Sequence, residues 1–413
     1  MNLRPSAVIS ARLLLPLFCF LLSLSSCKKV PPKSNSPLEI EGLSYEKSLP
    51  LKYAKQLKID AYNSGTFLVT VADSDRYLLL PQESTIPQNL PSEITIIRTP
   101  VTNAYLCASS AMALWSRLAS LDSIRFSAIQ KKDWYIEEAA LAMEEGRILY
   151  AGKYNAPDFE LLLKEKCSLA IESTMIYHSP QIKEKLESLG IPVFVDKSSY
   201  EPNPLGRMEW IKLYGAMLGK ESEAESFFQK KISALTTAVD SPSSTPLDSL
   251  SFPHLDSPSF PHPDSPSFPH TDAGISPKIA FFYITPNGLV VIRGKDDYIV
   301  KMIEMAGGIY AFPSTRKSSS PSVTISMEQF YAQCADADIL IYNSSIDNSV
   351  CSMQDLCIKS PLFAEFKAVQ KDSVWVTGKY LYQATDRIGD MILDLKAIIS
   401  GDDRSPEFLL RVE

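Results

Sequence analysis

Two hydrophobic rhythms divide this chain. In its first part, apolar residues alternate in runs short enough for strands: Phe67–Val71 and Tyr77–Leu80, separated by the polar stretch Asp73–Arg76 and preceded by the turn signal Asn63-Ser64-Gly65. From Ile94 the pattern becomes short apolar strands alternating with amphipathic segments. Ile94–Ile97 reads as a strand, Ala108–Leu118 as a helix and Leu169–Ile171 as a strand. Gln181–Leu189 reads as a helix stopped by Gly190, and Pro192–Val195 as the next strand. The same rhythm returns later, with strands at Lys278–Tyr283, Gly288–Ile292, Asp338–Tyr342 and Val374–Val376. Helices are predicted at Tyr298–Met305, which Gly307-Gly308 ends, and at Arg387–Ile399.

Between the two α/β regions, residues 207–238 read as largely helical. Ser222 and Glu225 have capping-box spacing, and Ala224, Phe228, Ile232 and Leu235 fall on one face. Alternating strand and helix implies a mainly parallel sheet with helices on its faces. The predicted fold is therefore α/β with two lobes, each a mainly parallel sheet flanked by helices, joined by a long helical connector. The N-terminal lobe is expected over 47–204, the connector over 205–239 and the C-terminal lobe over 278–413.

The ends of this pattern carry targeting information. Arg4 and Arg12 flank an apolar core, Leu13–Leu22, which is shorter than the roughly 20 residues that span a bilayer. Residues 1–26 read as a secretory signal peptide. Leu24-Ser25-Ser26-Cys27 resembles a bacterial lipobox, which makes Cys27 the lipidated residue and 27–46 a flexible anchor and tether. The expected location is extracytoplasmic, lipid-anchored to a bacterial membrane, with the particular membrane left open.

Composition changes the picture in three places. Removing 1–26 takes away Arg4, Arg12 and no acid, so the net charge moves from −7 to −9. No basic block stands out, which argues against nucleic acid as a partner. Five cysteines remain beyond Cys27: Cys107, Cys167 and Cys334 among apolar neighbours, read as small core residues, and Cys351 and Cys357, which could pair outside the cytoplasm. No Cys-x-x-Cys is present, so no metal site is expected from them. Third, an eight-residue Pro/Ser repeat starts at Asp240, Asp248, Asp256 and Asp264. Its composition cannot bury a core, and 240–277 is expected to be a disordered insertion. It holds His254, His262 and His270. Metal or haem capture and simple expansion of a tolerated loop both fit them.

Catalytic chemistry is sought and not found. The chain contains no Gly-x-Ser-x-Gly elbow, no His-Glu-x-x-His and no phosphate loop. Outside the repeat, His178 is the one histidine, readable as a surface or core residue or as a ligand contact. The chain is read as a non-enzyme.

Two stretches then carry a family resemblance. In the first lobe, GKYNAPDFELLL (152–163) precedes the strand at Cys167–Ile171. In the second, RGKDDYIVKMIEMAGG (293–308) is followed by VTISMEQF (323–330) and ADILI (337–341). From about Ile94 to Ile399, this order resembles the ABC-transporter periplasmic binding proteins for iron–siderophore, haem and vitamin B12. The usual Pro-Asp before the first-lobe strand is Cys167-Ser168 here.

The resemblance implies a receptor with no cofactor of its own, holding an iron–siderophore, haem or corrinoid between its lobes and delivering it to an ABC permease and its ATPase. It implies a small-molecule metal complex as ligand and a monomer as the working unit. It also implies that Glu160 and Glu328 dock one lobe each onto permease arginines; read from pattern alone, each is an acid in the first turn of a helix. Expected ligand contacts are Thr99, Pro100, Tyr105 and Tyr154 in the first lobe, Arg207 at the connector, and Arg293, Tyr380 and Tyr382 in the second. Aromatic rings suit a flat macrocycle or catecholate, and arginine suits an anionic siderophore. A surface capture or scaffold protein working without a permease is the competing reading.

Overall fold

The computed structural model describes residues 37–240, 276–312, 322–402 and 405–412. The expected signal peptide, Cys27, most of the expected tether and the octad repeat lie outside the described residues, apart from their flanks.

Five strands come first: β1 (Tyr45–Ser48), β2 (Leu57–Tyr62), β3 (Thr66–Val71), β4 (Asp75–Pro81) and β5 (Ile94–Thr99). They form a sheet of their own in sequence order, antiparallel except for the parallel pair β4–β5. The alternation that predicted strands also sets their burial: Ile59, Val69, Val71, Tyr77, Leu79 and Ile97 all enter one core. Ile94–Ile97 was expected to open the α/β region. It belongs to this sheet instead, with Arg76 to Pro81 opposite Ile94 to Thr99. A short apolar run satisfies either sheet, and only the pairing partner decides.

The N-terminal lobe proper is built from β6 (Ala104–Leu106), β7 (Ile124–Ser127), β8 (Leu149–Tyr150), the hairpin β9 (Gly152–Lys153) and β10 (Ala156–Pro157), β11 (Leu169–Ser173) and β12 (Val193–Asp196). The order β12-β11-β6-β7-β8 is parallel at every pairing. Helices α1 (Ser109–Arg117), α2 (Glu137–Glu144), α3 (Phe159–Lys164) and α4 (Pro180–Ser188) connect the strands.

The connector is three helices rather than one: α5 (Pro204–Glu209), α6 (Ile211–Leu218) and α7 (Glu221–Asp240). Gly219, at φ +68°, ends α6 in the left-handed conformation glycine favours. The expected capping box at Ser222 is not formed. Helix α7 already begins at Glu221, and Glu225 turns back to Lys212 at 3.0 Å. Almost every side chain of α5 and α6 is buried, because Trp210, Tyr214 and Met217 share a core with Trp115 of α1 and with the first sheet.

Two buried acids bind the start of the chain to this connector. Glu209 accepts from the backbone N–H groups of Lys52, Tyr53 and Ala54 at 2.7–2.9 Å. Glu201 accepts from those of Lys55 and Gln56 and from the indole N–H of Trp210. Lys212 compensates the charge, lying 3.2 Å from Glu209 and donating to the carbonyl of Pro50. Gly206 lets the two segments meet: a Cβ there would lie 2.9 Å from the carbonyl oxygen of Tyr53.

The C-terminal lobe contains β13 (Lys278–Ile284), β14 (Val290–Arg293), β15 (Ile309–Tyr310), β16 (Ser322–Ile325), β17 (Ile339–Tyr342), β18 (Val374–Thr377) and β19 (Leu409–Arg411), with helices α8 (Tyr298–Met305), α9 (Met327–Cys334), α10 (Met353–Lys359), α11 (Lys367–Gln370) and α12 (Ile388–Ser400). Strands β15, β17 and β18 extend β13 in parallel, and β14, β16 and β19 add antiparallel edges. One face packs Phe282 against Phe330 and Phe363. The other, with Ile279, Phe281 and Ile341, joins the same core as the connector. Cys334 is buried as expected; Cys351 and Cys357 are free thiols, not a disulfide.

The paired acids generate a stability prediction. Glu209→Gln removes the charge that Lys212 and three N–H groups were arranged around, and should cost about 3–5 kcal/mol by the usual loss for a broken buried pair. Urea unfolding read by tryptophan fluorescence measures it. A loss near that of an ordinary surface change would mean the clamp contributes little. Gly206→Ala should destabilise through the same junction, since the obstructing atoms are backbone and cannot rotate away.

Candidate functional site

In open parallel sheets, side chains gather for binding at the carboxyl ends of the strands. Here β6 delivers Cys107, β7 delivers Ala128, Ile129 and Gln130, and β8 with its hairpin delivers Tyr150, Lys153 and Tyr154. With Lys132 and Asp133 of the same lobe and Gln383 of the second lobe, they line a cleft of about 510 Å³. The hairpin depends on Gly152, at φ +84°, where a Cβ would strike the carbonyl oxygen of Ala156 at 2.3 Å. The Gly152 carbonyl accepts the Tyr105 hydroxyl at 3.0 Å, which ties the hairpin to the lobe core.

Gln383 closes one wall by bridging the lobes. Its Oε1 accepts from Tyr135 N–H at 2.9 Å and its Nε2 donates to the Asp133 carbonyl at 2.8 Å. Tyr380 packs beside it, its ring 6.4 Å from Tyr135 and 5.3 Å from Phe408. Arg117 and Asp386 add a cross-lobe ion pair at 2.5 Å.

A second polar group lies where the connector meets the C-terminal lobe. Arg207 of α5 lies over the Tyr298 ring at 3.8 Å. It is buried, and its Nε has no hydrogen-bond partner. Arg293, at the end of β14, donates to the Tyr382 hydroxyl, which also accepts from Asn343 at 2.8 Å. Asp297 is 3.7 Å from Arg293. Burial opposes the Arg293 charge, but Tyr382 and Asp297 outweigh it and raise its pKa. Burial also raises Asp297, against the pull of Arg293 and Arg207. Two guanidinium groups thus lie near one carboxylate, Arg293 alone within ion-pair distance of it, in a mostly dry setting, an arrangement with a residual attraction for an anion. The turn Leu381–Gln383 links both features, since Tyr382 holds Arg293 and Gln383 lines the cleft.

Behind the cleft-lining Cys107 lies a further acid. Glu172 of β11 is fully buried, and neither carboxylate oxygen has a hydrogen-bond partner. It lies beside the Cys107 thiol. Burial pushes its pKa up to about 7, the thiol pulling slightly the other way. The same burial, then the Glu172 charge, raises the Cys107 thiol.

The structure sorts the residues singled out from sequence. Tyr154 lines the cleft. Arg207, Arg293 and Tyr382 come together, joined by Asp297, Tyr298 and Asn343, which the sequence reading passed over. Tyr380 spends its hydroxyl on the Glu407 carbonyl and its ring on the lobe contact. Tyr105 is a core residue, fully buried, with its hydroxyl given to the Gly152 carbonyl. Thr99 and Pro100 end β5 in the separate first sheet, Thr99 buried opposite Pro81, and the fold does not bring them to the cleft lining. Glu160 and Glu328 are exposed in the first turns of α3 and α9, behind the capping residues Asp158 and Ser326. His178 is exposed on the turn Thr174–His178. Cys107, read as a core residue, reaches the cleft instead. The lining from Ala128 to Asp133 carries no local sequence signal, because β7 alternates (Ile124 and Phe126 against Arg125 and Ser127) over only four residues. Among the described residues no cluster of His, Cys, Asp and Glu could hold a metal ion, and no helix is long and apolar enough to cross a membrane.

Comparison with known proteins places this geometry. No family model matches the chain. An uncharacterized lipoprotein of Methanocaldococcus jannaschii is 22% identical over 382 residues, covering 84% of this chain and 81% of that protein. A second uncharacterized lipoprotein of that organism is 24% identical over 231 residues, 54% of this chain and 51% of its own. Among solved structures, a periplasmic binding protein of Veillonella parvula superposes with a TM-score of 0.56 at 13% identity, covering 73% of this chain and 92% of that one. A periplasmic haem-binding protein of Pseudomonas aeruginosa gives 0.53 at 15% identity, covering 76% and 98%. A possible iron-binding, periplasmic solute-binding protein of Staphylococcus epidermidis gives 0.52 at 15% identity, covering 72% and 98%. The chain therefore has the two-lobed α/β fold of the periplasmic solute-binding proteins.

Proposed function

We propose that this protein is an extracytoplasmic, lipid-anchored solute receptor, not an enzyme, that takes an anionic metal complex between its lobes and hands it to an ABC permease with its ATPase. The observation that carries the reading is the paired-arginine group beside an interlobe cleft. Arg207 lies flat on Tyr298 with a buried, unpartnered Nε, and Arg293 is aimed by Tyr382. Evolution rarely leaves buried guanidinium nitrogens unpaired unless something else completes them. The cleft's Tyr150 and Tyr154 offer ring faces, and Lys132 and Lys153 add positive charge at its edge. Solved proteins with this fold include haem-binding and possible iron-binding ones. An iron–siderophore, haem or corrinoid remains the ligand class, and the lipoprotein relatives support a lipid anchor at Cys27.

Two measurements follow. Native mass spectrometry of the protein with haem, cyanocobalamin and a panel of ferric siderophores should find one complex per chain. Arg207→Ala and Arg293→Ala should each weaken it about 10- to 100-fold, the worth of a charged hydrogen bond. A panel member bound equally well by both variants would remove the arginines from the site. Separately, Glu160→Ala with Glu328→Ala should leave binding unchanged but lower uptake by cells carrying the permease, because the exposed acids act only in docking. Unchanged uptake would favour the scaffold reading.

A further inference from the structure

Buried carboxyl groups in this protein are otherwise well provided for. Glu201 and Glu209 each accept three hydrogen bonds from N–H groups. Asp196 accepts from Ser198 N–H and the Tyr214 hydroxyl. Glu172 breaks this habit. It is wholly inaccessible, and among the described residues it is the one buried acid neither of whose oxygens has a partner in hydrogen-bonding geometry; only the Cys107 thiol, a weak donor, stands beside it. A carboxyl group in that state costs free energy unless a partner arrives.

Its position says where a partner would come from. Strand β11 lies inside the sheet, between β12 and β6, and Glu172 is its penultimate residue, at the carboxyl end. The backbone N–H groups of Cys107 and Ala108 both donate to the Ile171 carbonyl, which seats Cys107 next to Glu172. Cys107 in turn lines the cleft. One small side chain therefore separates the unpartnered carboxyl from the binding space. The other polar groups nearby are engaged or apolar in character: the Tyr105 hydroxyl is given to Gly152, and the Cys167 thiol to the Leu169 carbonyl. Lys132 and Lys153 belong to the cleft lining and form no ion pair with Glu172.

We propose that Glu172 is a ligand-binding residue behind the cleft lining, reached when the Cys107 side chain rotates aside, and that it takes a nitrogen hydrogen-bond donor, cationic or amide, carried by the solute. The site would then discriminate by two chemistries at once: arginines for the solute's anionic groups and a buried carboxylate for its N–H donor. A solute lacking that donor would leave the carboxylate dry and unpaired, which is a strong basis for rejection.

This rests on the reading that the cleft receives a solute, but its test needs no cargo. The side-chain carboxyl carbons of glutamate are labelled with carbon-13, and the Glu172 signal is identified by its absence in Glu172→Gln or by its displacement in Cys107→Ser. Its titration is followed with and without methylguanidinium at millimolar concentration, tetramethylammonium serving as a cation that cannot donate. The expected result is a midpoint near neutrality that falls by about one unit with methylguanidinium, a tenfold change in proton affinity, and stays put with tetramethylammonium. Cys107→Ala should enlarge the effect by widening the approach. A midpoint in the ordinary carboxylate range, equal responses to both cations, or no response in either wild type or Cys107→Ala would overturn the proposal. A failed cargo screen beside a positive titration would instead count against the ligand class named above and leave Glu172 in its role.

Discussion

Five consecutive backbone N–H groups, from Lys52 to Gln56, end on two buried carboxylates, and the arrangement of the molecule hangs on that junction. Unpaired, these groups would be costly in a dry interior. Paired, they fix the start of the first sheet to the first helix of the connector. That helix also carries Arg207, two residues before Glu209. The same short segment therefore anchors the extra sheet, turns the chain between lobes and presents a cation at the lobe junction. Its glycine, Gly206, is there because the backbone of Tyr53 and Ala54 leaves no room for a side chain.

The two lobes are held on one side of the cleft by contacts of a different character. Gln383 spends both ends of its amide on the N-terminal lobe, Tyr380 packs on Tyr135, and Arg117 pairs with Asp386. With the connector core behind them, these contacts leave little freedom for a wide hinge. In the proposed receptor, recognition depends on side chains already in position, which limits the entropy lost on binding. The polarity of the site follows the same economy. Positive charge is left in excess at Arg207 and Arg293, and a buried carboxyl group is left without a hydrogen-bond partner at Glu172.

Much of the fold was legible in the sequence. Helix Tyr298–Met305 and strands such as Ile339–Tyr342 and Val374–Thr377 appear within a residue or two of where periodicity put them. Where the reading failed, the local signal was short. Strands β6, β7 and β8 are two to four residues long, too short for a periodic pattern to stand out, and with them went the lining from Ala128 to Asp133. Thr99 and Pro100 follow Ile94–Ile97, which reads from the sequence as a strand of the α/β sheet. Pairing with β4 placed it elsewhere. Tyr105 was chosen as an aromatic near a strand end, yet its side chain points into the core, a matter of one residue's register.

The sequence by itself determined what local patterns encode: alternating strands and helices, and two α/β regions around a helical stretch. Those properties depend on neighbours a few positions apart. Only the tertiary structure decided which residues meet. Arg207 and Arg293, 86 positions apart in the sequence, converge because α5 packs on α8. Glu172 is left without a partner because β11 is enclosed on both edges and Cys107 shields it from the cleft. Such encounters are set by long-range packing and by the desolvation it imposes, and neither is written in any single stretch of the chain.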